Sequence, residues 1–338
     1  MIVETITVLV SFLFSLVLVP FFINYFKVAG IMTRDLHKKN KPYVPHSLGV
    51  PFVLSLTFSM LFYIFFQVFL YQNYKEVSYI LASLLTLLLI AFSGFIDDIN
   101  TSQVKVGKFS EGKAGLKRYQ KVLLTFPAAI PLMAVMAGET TMNLPLIGNV
   151  DFGILYPLVL VPLGVIGASN AVNMLDGFNG LAAGLGLIYT FGLGLYALLH
   201  GQNVASIILF SAFASLLVCF RYNFYPAKIL SGDSLTYSLG SLFAIAAIIG
   251  NMERAALLVF TPFLIQGVLK FYSRIKLGKF ASDLGILEKD GKIRSKYDRI
   301  YSLTHVAMRF NLNEKQIVLF LMLIQAIFTA LPFIFFRM

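Results

Sequence analysis

The chain has 338 residues, of which 58% are hydrophobic and only 13% charged, and it carries a net charge of +11 at pH 7. Soluble domains carry about 25% charged residues, so this composition excludes an ordinary soluble domain. A positive excess of this size would suit a nucleic-acid-binding protein, but its distribution along the chain, described below, argues against that class.

Long apolar segments follow one another along the chain. Each is long enough to cross a membrane as a helix, since about 20 apolar residues span the hydrocarbon layer. The segments do not alternate apolar and polar residues over runs of about 10, as the strands of a membrane β-barrel do. We therefore predict an all-α integral membrane protein with about ten transmembrane helices. The predicted spans are residues 6–26, 50–71, 77–95, 119–137, 153–171, 181–199, 204–220, 234–249, 255–271 and 316–336.

The first apolar segment, residues 6–26, is predicted to be a spanning helix. It lacks the basic residues that precede the apolar core of a signal peptide, and it is too long for one. The only cysteine of the sequence, Cys219, lies in the seventh apolar segment. It has no partner for an intrachain disulfide, and we expect it to pack in the core.

Lysine and arginine residues concentrate on one side of the predicted membrane. Of the 27, 24 lie in or beside the loops that follow the first, third, seventh and ninth spans. Loops rich in Lys and Arg stay in the cytoplasm, so both termini are predicted to lie outside. The chain is expected to form one polytopic domain, 1–338, in the cell membrane, with its active site on the cytoplasmic face. The predicted cytoplasmic loops are about 27–49, 96–118, 172–180, 221–233 and 272–315.

Two adjacent carboxylates, Asp97 and Asp98, end the third apolar segment in the sequence SGFIDDIN. Adjacent carboxylates repel each other unless a cation is nearby, and charged groups at a membrane boundary often serve a metal or a substrate. A solvated helix end is the alternative for this pair taken alone. Because neighbouring positions on a helix point about 100° apart, the two carboxylates are expected to differ in role.

The sequence NAVNMLDGFNG follows the fifth apolar segment. Asn170, Asn173 and Asp176 are spaced at i, i+3 and i+6, which predicts three oxygen-bearing side chains along one side of a helix. Gly177 and Gly180 then end the helix and let the backbone approach a ligand. An Asn-rich helix C-cap is the alternative, although an ordinary cap needs only one such residue.

Two further polar segments lie on the predicted cytoplasmic side. One is SGDS, in which Asp233 or Ser234 is a candidate N-cap for the eighth helix. A helix N-terminus also favours bound anions, so capping and a functional role are compatible. The other segment is RDLHKKNKPYVPHSLG, residues 34–49.

Together these segments supply hard oxygen ligands from Asp97, Asp98, Asn173, Asp176 and Asp233. Such ligands suit Mg²⁺, with Mn²⁺ as an alternative, and do not suit structural zinc. Mg²⁺ binds through one or two carboxylates together with substrate phosphates, and the surrounding lysines also suit a phosphorylated substrate. The residues therefore predict a Mg²⁺ site for a phosphate-rich ligand at the cytoplasmic face of a helical membrane bundle.

The motifs GFIDD, NAVNMLDGFNGLAAG and GDS, in this order and on cytoplasmic loops, resemble those of the polyprenyl-phosphate N-acetylhexosamine-1-phosphate transferases. The resemblance covers nearly the whole chain, and the family also has ten spans with both termini outside. The first loop, RDLHKKNKPYVPHSLGV, the seventh, YNFYPAKILSGDS, and the sequence GILEKDGKIRSKY of the last loop are most similar to the dolichyl-phosphate N-acetylglucosamine-1-phosphate transferases.

The resemblance implies an enzyme with two substrates that meet at the membrane surface. It would transfer N-acetylglucosamine 1-phosphate from UDP-GlcNAc to a polyprenyl (dolichyl) phosphate and release UMP, as the first step of lipid-linked oligosaccharide assembly for protein glycosylation. Another UDP-N-acetylhexosamine, or undecaprenyl phosphate as the lipid, remains an alternative. No nucleic acid is expected as a partner, and a homodimer is left open.

The resemblance also implies roles for the polar residues. Asp233 and Asn173 would hold the metal, with Asp98 nearby, while Asp97 would deprotonate or position the lipid phosphate. Lys121 would bind phosphate as a point charge. The residues implied at the lipid phosphate are Lys121, Asn170 and Asn173. The residues implied around the nucleotide and sugar are Asp35, Leu36, His46, Asp176, Gly177 and Asn179.

The chain departs from the family pattern in two loops. His46 stands where the eukaryotic first loop usually has Glu, and the last loop lacks the family's His- or Arg-rich motif. Lys276 and Lys279 are the candidate substitutes for that motif, in contact with sugar or phosphate. In the same loop, Asp-Gly at 290–291 between alternating residues predicts a small cytoplasmic β-hairpin with a type I′ turn.

A cation-coupled transporter is the alternative from a different functional class, because carboxylates inside broken membrane helices also occur there. Transporter sites lie near the middle of the bilayer, often between internal repeats. Here the carboxylates gather at one end of the predicted spans and no repeat is apparent, so the transferase hypothesis is favoured.

Overall fold

The computed structural model describes residues 2–102, 104–105, 108–109, 118–144 and 148–336. Residues 103, 106–107 and 110–117 of the predicted loop 96–118 therefore lie outside the described residues, as does Arg337. The described helices are α1 Ile2–Ala29, α2 Gly49–Phe66, α3 Tyr74–Thr101, α4 Arg118–Thr125, α5 Ile130–Ala134, α6 Val161–Asn173, α7 Leu181–Leu199, α8 Asn203–Asn223, α9 Gly232–Ile249, α10 Glu253–Leu277, α11 Leu303–Met308 and α12 Glu314–Phe335.

The described residues contain nine helices that are long and apolar enough to cross a membrane, and each of them corresponds to a predicted span. This confirms an all-α integral membrane protein. The predicted span 119–137 is different, because it is broken into α4, a 3₁₀ turn at Phe126–Ala129 and the short α5. Pro127 and Pro131 each lack a backbone N–H and interrupt the helical hydrogen bonds there.

Helix α9 lies at the centre of the bundle. It packs against α6 on one side and α3 on another, and α7, α8 and α2 also contact it. It is the most buried of the candidate spans in the described chain. Because α9 begins at Gly232, its central position brings Asp233 up against the ends of α3 and α6.

The described residues also form four short antiparallel hairpins, which lie between the helices in the sequence. Their strands are β1 Met32–Arg34 with β2 Tyr43–Pro45, β3 Val104–Lys105 with β4 Lys108–Phe109, β5 Thr141–Leu144 with β6 Gly148–Asp151, and β7 Ile286–Leu287 with β8 Ile293–Arg294. The β7–β8 hairpin confirms the one predicted in the last loop. Its turn is not type I′, since of the predicted pair only Gly291 has a positive φ, 83°. A type I turn closed by a left-handed glycine accounts for this geometry.

Two glycines let α2 and α3 approach the first turn of α9. A Cβ atom added at Gly49 would lie 2.1 Å from the carbonyl carbon of Ser234, and one added at Gly94 would lie 2.5 Å from the Ser234 nitrogen. Any side chain at either position would push the backbones apart. The start of α9 is thereby fixed between α2 and α3, beside Asp97 and Asp98.

Candidate active site

Four charged side chains meet at the end of the bundle where α3 ends and α9 begins, which we call the site end. The Lys121 ammonium lies 2.6 Å from an Asp97 carboxylate oxygen and 2.6 Å from one of Asp233. Asp98 approaches the same turn of α9 from the other side. We call Asp97, Asp98, Lys121 and Asp233 the carboxylate cluster. The structure thus brings together four residues that lie as far as 136 positions apart in the sequence.

Asp98 binds the exposed backbone amides at the start of α9. Its Oδ1 accepts a hydrogen bond from the Asp233 N–H at 2.7 Å, and its Oδ2 accepts one from the Ser234 N–H at 3.2 Å. These amides have no partner within their own helix, and a negative charge there is favoured by the helix dipole. Asp98 therefore acts as the cap of α9, supplied by another helix.

This arrangement corrects the prediction that Asp233 or Ser234 caps the helix. The residue before α9 is Ser231, which makes no side-chain capping bond. Asp98 takes that role, and it can do so because α3 continues to Thr101 and carries both carboxylates into the bundle. The two carboxylates have different partners, as expected for neighbouring positions on a helix: Asp97 faces the Lys121 ammonium, and Asp98 faces backbone amides. The difference in role stays a prediction.

Lys121 holds a positive charge between two carboxylates. Burial alone would lower the pKa of its ammonium, but the neighbouring Asp233 and Asp97 carboxylates outweigh burial and raise that pKa above its ordinary value. The ammonium is thus charged at neutral pH.

The NAVNMLDGFNG segment is helical only in its first part. Helix α6 ends at Asn173, so Asn170 and Asn173 share its last turns while Asp176 lies beyond the helix. The predicted stripe of three side chains on one helix is therefore wrong for Asp176. The Asn170 amide donates to the Ile166 carbonyl at 2.8 Å, which leaves its amide oxygen for other contacts.

Asp176 is half-buried next to the loop that leads into α9. Burial is the main cause that raises the pKa of its carboxyl to about 7. A hydrogen bond with the Ser231 side chain lowers this pKa in part, and the Asp233 charge raises it. Asp176 therefore titrates near neutral pH. It connects the end of α6 with the SGDS segment.

A polar cavity of about 200 Å³ opens beside the carboxylate cluster, and we call it the polar cavity. All six residues predicted around the nucleotide and sugar line it. They are Asp35, Leu36, His46, Asp176, Gly177 and Asn179. At one end the cavity reaches Ser231 and Gly232, directly before Asp233. The structure thus joins the first loop, the segment after α6 and the start of α9 around one space.

A network of charged groups fixes the walls of the polar cavity. The Asn179 amide donates to Asp35 at 2.8 Å, and the Asn179 backbone N–H donates to Glu314 at 3.1 Å. The Lys38 ammonium pairs with Glu314 and lies 3.3 Å from Asp35. Sequence reasoning missed Lys38 and Glu314. Lys38 stands three residues after Asp35, but nothing in the sequence indicates that Glu314, 276 residues further on, would meet it.

Two buried histidines near the cavity are uncharged at neutral pH. Burial lowers the pKa of His46 to about 4 despite the nearby Asp97 charge, and burial likewise lowers the pKa of His37 to about 4. The His46 Nε2 lies 3.0 Å from the Ser102 hydroxyl, which ties the first loop to the end of α3. The His37 ring stacks on Phe178 with 4.6 Å between centroids.

The last loop reaches the site through residues other than the predicted lysines. Lys276 and Lys279 are exposed near the end of α10, and neither lines the polar cavity. The segment around Leu284 lies over the cavity instead, with its Cδ2 3.3 Å from the Cβ position of Gly177. Gln266 anchors this loop, because its amide donates to the Met174 carbonyl at 2.7 Å and to Asp283 at 2.8 Å.

An apolar groove of about 460 Å³ runs along α6 between α9 and α10. One end lies at Tyr156 and Glu253. The other lies at Ala171, two residues before Asn173, so the groove leads to the site end of the bundle. Its walls are apolar side chains such as Phe260 and Leu264 together with small residues of α6. A groove of this kind fits a hydrocarbon chain.

The donor set fits a magnesium ion that is shared with a substrate. Within the described chain, no three His, Cys, Asp or Glu residues are arranged to hold a metal by themselves. Both oxygens of Asp98 accept backbone hydrogen bonds, so Asp98 is a poor ligand. Asp233, a member of the cluster, and Asn173, the last residue of α6, carry hard side-chain oxygens, and Mg²⁺ commonly uses one or two protein oxygens plus substrate phosphates and water.

Comparison with known proteins finds a matching family and several relatives that align over most of the chain. The profile of glycosyl transferase family 4 matches residues 80–251. A Sulfolobus acidocaldarius protein provisionally named UDP-N-acetylglucosamine–dolichyl-phosphate N-acetylglucosaminephosphotransferase is 32% identical over 97% of this chain and 95% of its own. A Dictyostelium discoideum protein has the same name without the provisional label, and it is 26% identical over 72% of this chain and 66% of its own. A phospho-N-acetylmuramoyl-pentapeptide-transferase of Enterococcus faecalis is 33% identical over 75% and 78%.

The matched residues 80–251 contain Asp97, Asp98, Asn173, Asp176 and Asp233. The family match therefore covers the carboxylate cluster, the segment after α6 and the whole of the central helix α9. On these grounds the chain belongs to glycosyl transferase family 4.

Proposed function

We propose that this protein transfers N-acetylglucosamine 1-phosphate from UDP-GlcNAc to a membrane polyprenyl phosphate, with dolichyl phosphate as the expected lipid, and releases UMP. The proposal rests on one observation: the polar cavity and the apolar groove both lead to the carboxylate cluster. The polar cavity ends at Gly232, next to Asp233, and the apolar groove ends at Ala171, close to Asn173. A water-soluble nucleotide and a lipid can thus reach the same point.

The relatives support the choice of substrates. Proteins aligned over most of this chain carry names that specify UDP-N-acetylglucosamine and dolichyl phosphate. The Enterococcus relative carries a name that specifies transfer of a phospho-N-acetylmuramoyl-pentapeptide. Another UDP-N-acetylhexosamine, or undecaprenyl phosphate, is therefore the alternative substrate pair, and the assay below separates the two.

In the proposed reaction, an oxygen of the lipid phosphate attacks the β-phosphorus of UDP-GlcNAc. The bond from that phosphorus to the bridging oxygen breaks, the electron pair stays on the α-phosphate, and UMP leaves. A phosphate monoester carries a charge of about −1.5 to −2 at pH 7, so a strong base is not required. Asp97 would take the remaining proton or align the attacking oxygen.

The other residues of the cluster would orient and neutralise the reactants. Lys121 would bind phosphate oxygens as it now binds Asp97 and Asp233. Asp233 and Asn173 would hold Mg²⁺, with Mn²⁺ as a substitute. When bound, the metal would neutralise the diphosphate and stabilise the departing UMP. Asp98 would act through Asp233, since it fixes the first turn of α9.

The polar cavity would hold the nucleotide. Asp35 and Asn179 form a fixed hydrogen-bonding wall, and Gly177 lets the backbone come close to the ligand. Leu36 is 48% exposed at the rim, where it can cover a bound ring. His46, uncharged, would complete the pocket.

We also propose the orientation predicted from the basic loops. The site end of the bundle would face the cytoplasm, where UDP-GlcNAc is available, and both termini would lie outside. The protein would then begin lipid-linked glycan assembly at the inner surface of the membrane.

The test is a transfer assay with purified protein, radiolabelled UDP-GlcNAc, Mg²⁺ and either dolichyl or undecaprenyl phosphate. We expect label in the lipid fraction, and its loss in Asp233→Asn. Asp290→Asn is the matched control, because it removes the same charge from an exposed hairpin residue. Absence of lipid product with both lipids and with other UDP-N-acetylhexosamines would contradict the proposed function. Full activity in Asp233→Asn would remove that residue from the mechanism.

A further inference from the structure

The polar cavity has an unusual balance of charge for a space proposed to hold a diphosphate. Its described lining includes the carboxyl groups of Asp35 and Asp176. Arg34 is the one lysine or arginine among the described residues that line it. The two histidines in the lining, His37 and His46, are uncharged, since burial lowers each pKa to about 4.

The nearest other cations are already paired with carboxylates. Lys121 lies between Asp97 and Asp233. Lys38 pairs with Glu314 and Asp35. In the last loop, the buried Lys270 pairs with Asp283 and donates to the Ala281 carbonyl. None of these three ammonium groups lines the polar cavity.

Tyr43 holds the Arg34 side chain in place through the guanidinium Nε. It ends strand β1, directly opposite Tyr43 in β2. Its Nε donates to the Tyr43 hydroxyl at 3.0 Å, and its guanidinium carbon lies 5.1 Å from the centre of the Tyr43 ring. Among the described residues it has no carboxylate partner, so both terminal nitrogens can bind a ligand. A guanidinium fixed in this way is suited to two parallel hydrogen bonds with phosphate oxygens.

We propose that Arg34 binds the diphosphate of the nucleotide-sugar donor. The proposal rests on the proposed function and adds the cation that replaces the missing basic motif of the last loop. Tyr43 acts as the positioning residue for the guanidinium. The group recognised is a pair of phosphate oxygens, which the donor and the lipid phosphate both offer. Arg34 lines the polar cavity and not the apolar groove, so we assign it to the donor.

The test compares ligands with and without phosphates on Arg34→Ala, with Lys39→Ala as the control for removing an exposed charge from the same loop. Equilibrium dialysis with labelled UDP and labelled uridine gives the two dissociation constants. We expect Arg34→Ala to weaken UDP binding by about 10- to 100-fold, as for loss of a charge-assisted contact. Uridine binding should change by less than about two-fold, and Lys39→Ala should resemble wild type.

Steady-state kinetics separates the donor from the lipid. Arg34→Ala should raise the KM for UDP-GlcNAc and leave the KM for polyprenyl phosphate near the wild-type value, while Arg34→Lys restores only part of the donor affinity. Equal losses for UDP and uridine would show a merely structural role and overturn the proposal, as would unchanged UDP binding. A shift confined to the lipid KM would assign Arg34 to the acceptor. If wild-type protein bound UDP through Arg34 but made no lipid product, the proposed function would fail and the phosphate contact would stand.

Discussion

The Asp98→Asn substitution tests whether Asp98 holds the active site together rather than taking part in the chemistry. In the wild type each carboxylate oxygen accepts one backbone N–H at the start of α9, from Asp233 at 2.7 Å and from Ser234 at 3.2 Å. Asparagine keeps one acceptor and turns an NH₂ group toward the other amide. One buried hydrogen bond to a charged group is lost, worth about 1.5–3 kcal/mol, and the interaction with the helix dipole is lost as well.

Asp98→Asn should therefore lower the thermal unfolding midpoint in detergent and displace Asp233, so that more Mg²⁺ is needed for half-maximal turnover. Asp97→Asn is the matched comparison, because it removes the neighbouring charge while leaving both backbone amides capped. It should reduce turnover by about 10²- to 10⁴-fold, with nucleotide binding retained and a smaller change in Mg²⁺ dependence. Equal Mg²⁺ profiles and equal unfolding midpoints for the two variants would refute the separate roles.

Four further outcomes follow from the structure. Gly232→Ala should abolish transfer, because its Cβ would lie 2.4 Å from Asp98 and its φ is +69°; Gly201→Ala, with φ +71° and open space around it, is the control and should stay active in the same assay. The Asp176 pKa is raised to about 7, so its contribution to stability is present at low pH and is lost as pH rises toward and through 7; unfolding midpoints measured from pH 5 to 8 should fall less steeply in Asp176→Asn. Glu314→Gln should raise the KM for UDP-GlcNAc by about 10-fold, because it breaks the ion pair between Lys38 and Glu314, and Glu314 also accepts the Asn179 backbone N–H; unchanged donor kinetics would count against this network. A cysteine placed at Lys113 should react with an impermeant thiol reagent only after cell lysis and one at Gly201 in intact cells, with the buried Cys219 giving little background; the reverse pattern would invert the topology.

Hydropathy and charge predicted most of the fold because each transmembrane helix is specified by its own sequence. Nine of the predicted spans coincide with candidate spanning helices in the described residues. The region 118–134 shows the limit of that reasoning. Its average composition is apolar, but Pro127 and Pro131 remove two backbone donors, and the helix breaks where local hydrogen bonding fails.

The candidate site shows a different limit. Residue type and spacing predicted which side chains would gather, and the six residues assigned to the nucleotide do line one cavity. The partners within that set depend on how helices pack. Asp98 caps α9 through Asp233, which lies 135 residues later, and Lys38 pairs with Glu314 across 276 residues. No local pattern encodes these contacts, so the roles of Asp98, Lys38 and Glu314 required the three-dimensional structure.

The cleavage position in the donor tests the central claim most directly. UDP-GlcNAc labelled with ³²P at the β-phosphate and with ³H in the sugar would be incubated with the purified protein, polyprenyl phosphate and Mg²⁺. Phosphotransfer predicts that both labels enter the lipid in a 1:1 ratio, with one UMP released per lipid product. Transfer of the sugar alone, with ³²P remaining in UDP, would contradict the proposed function.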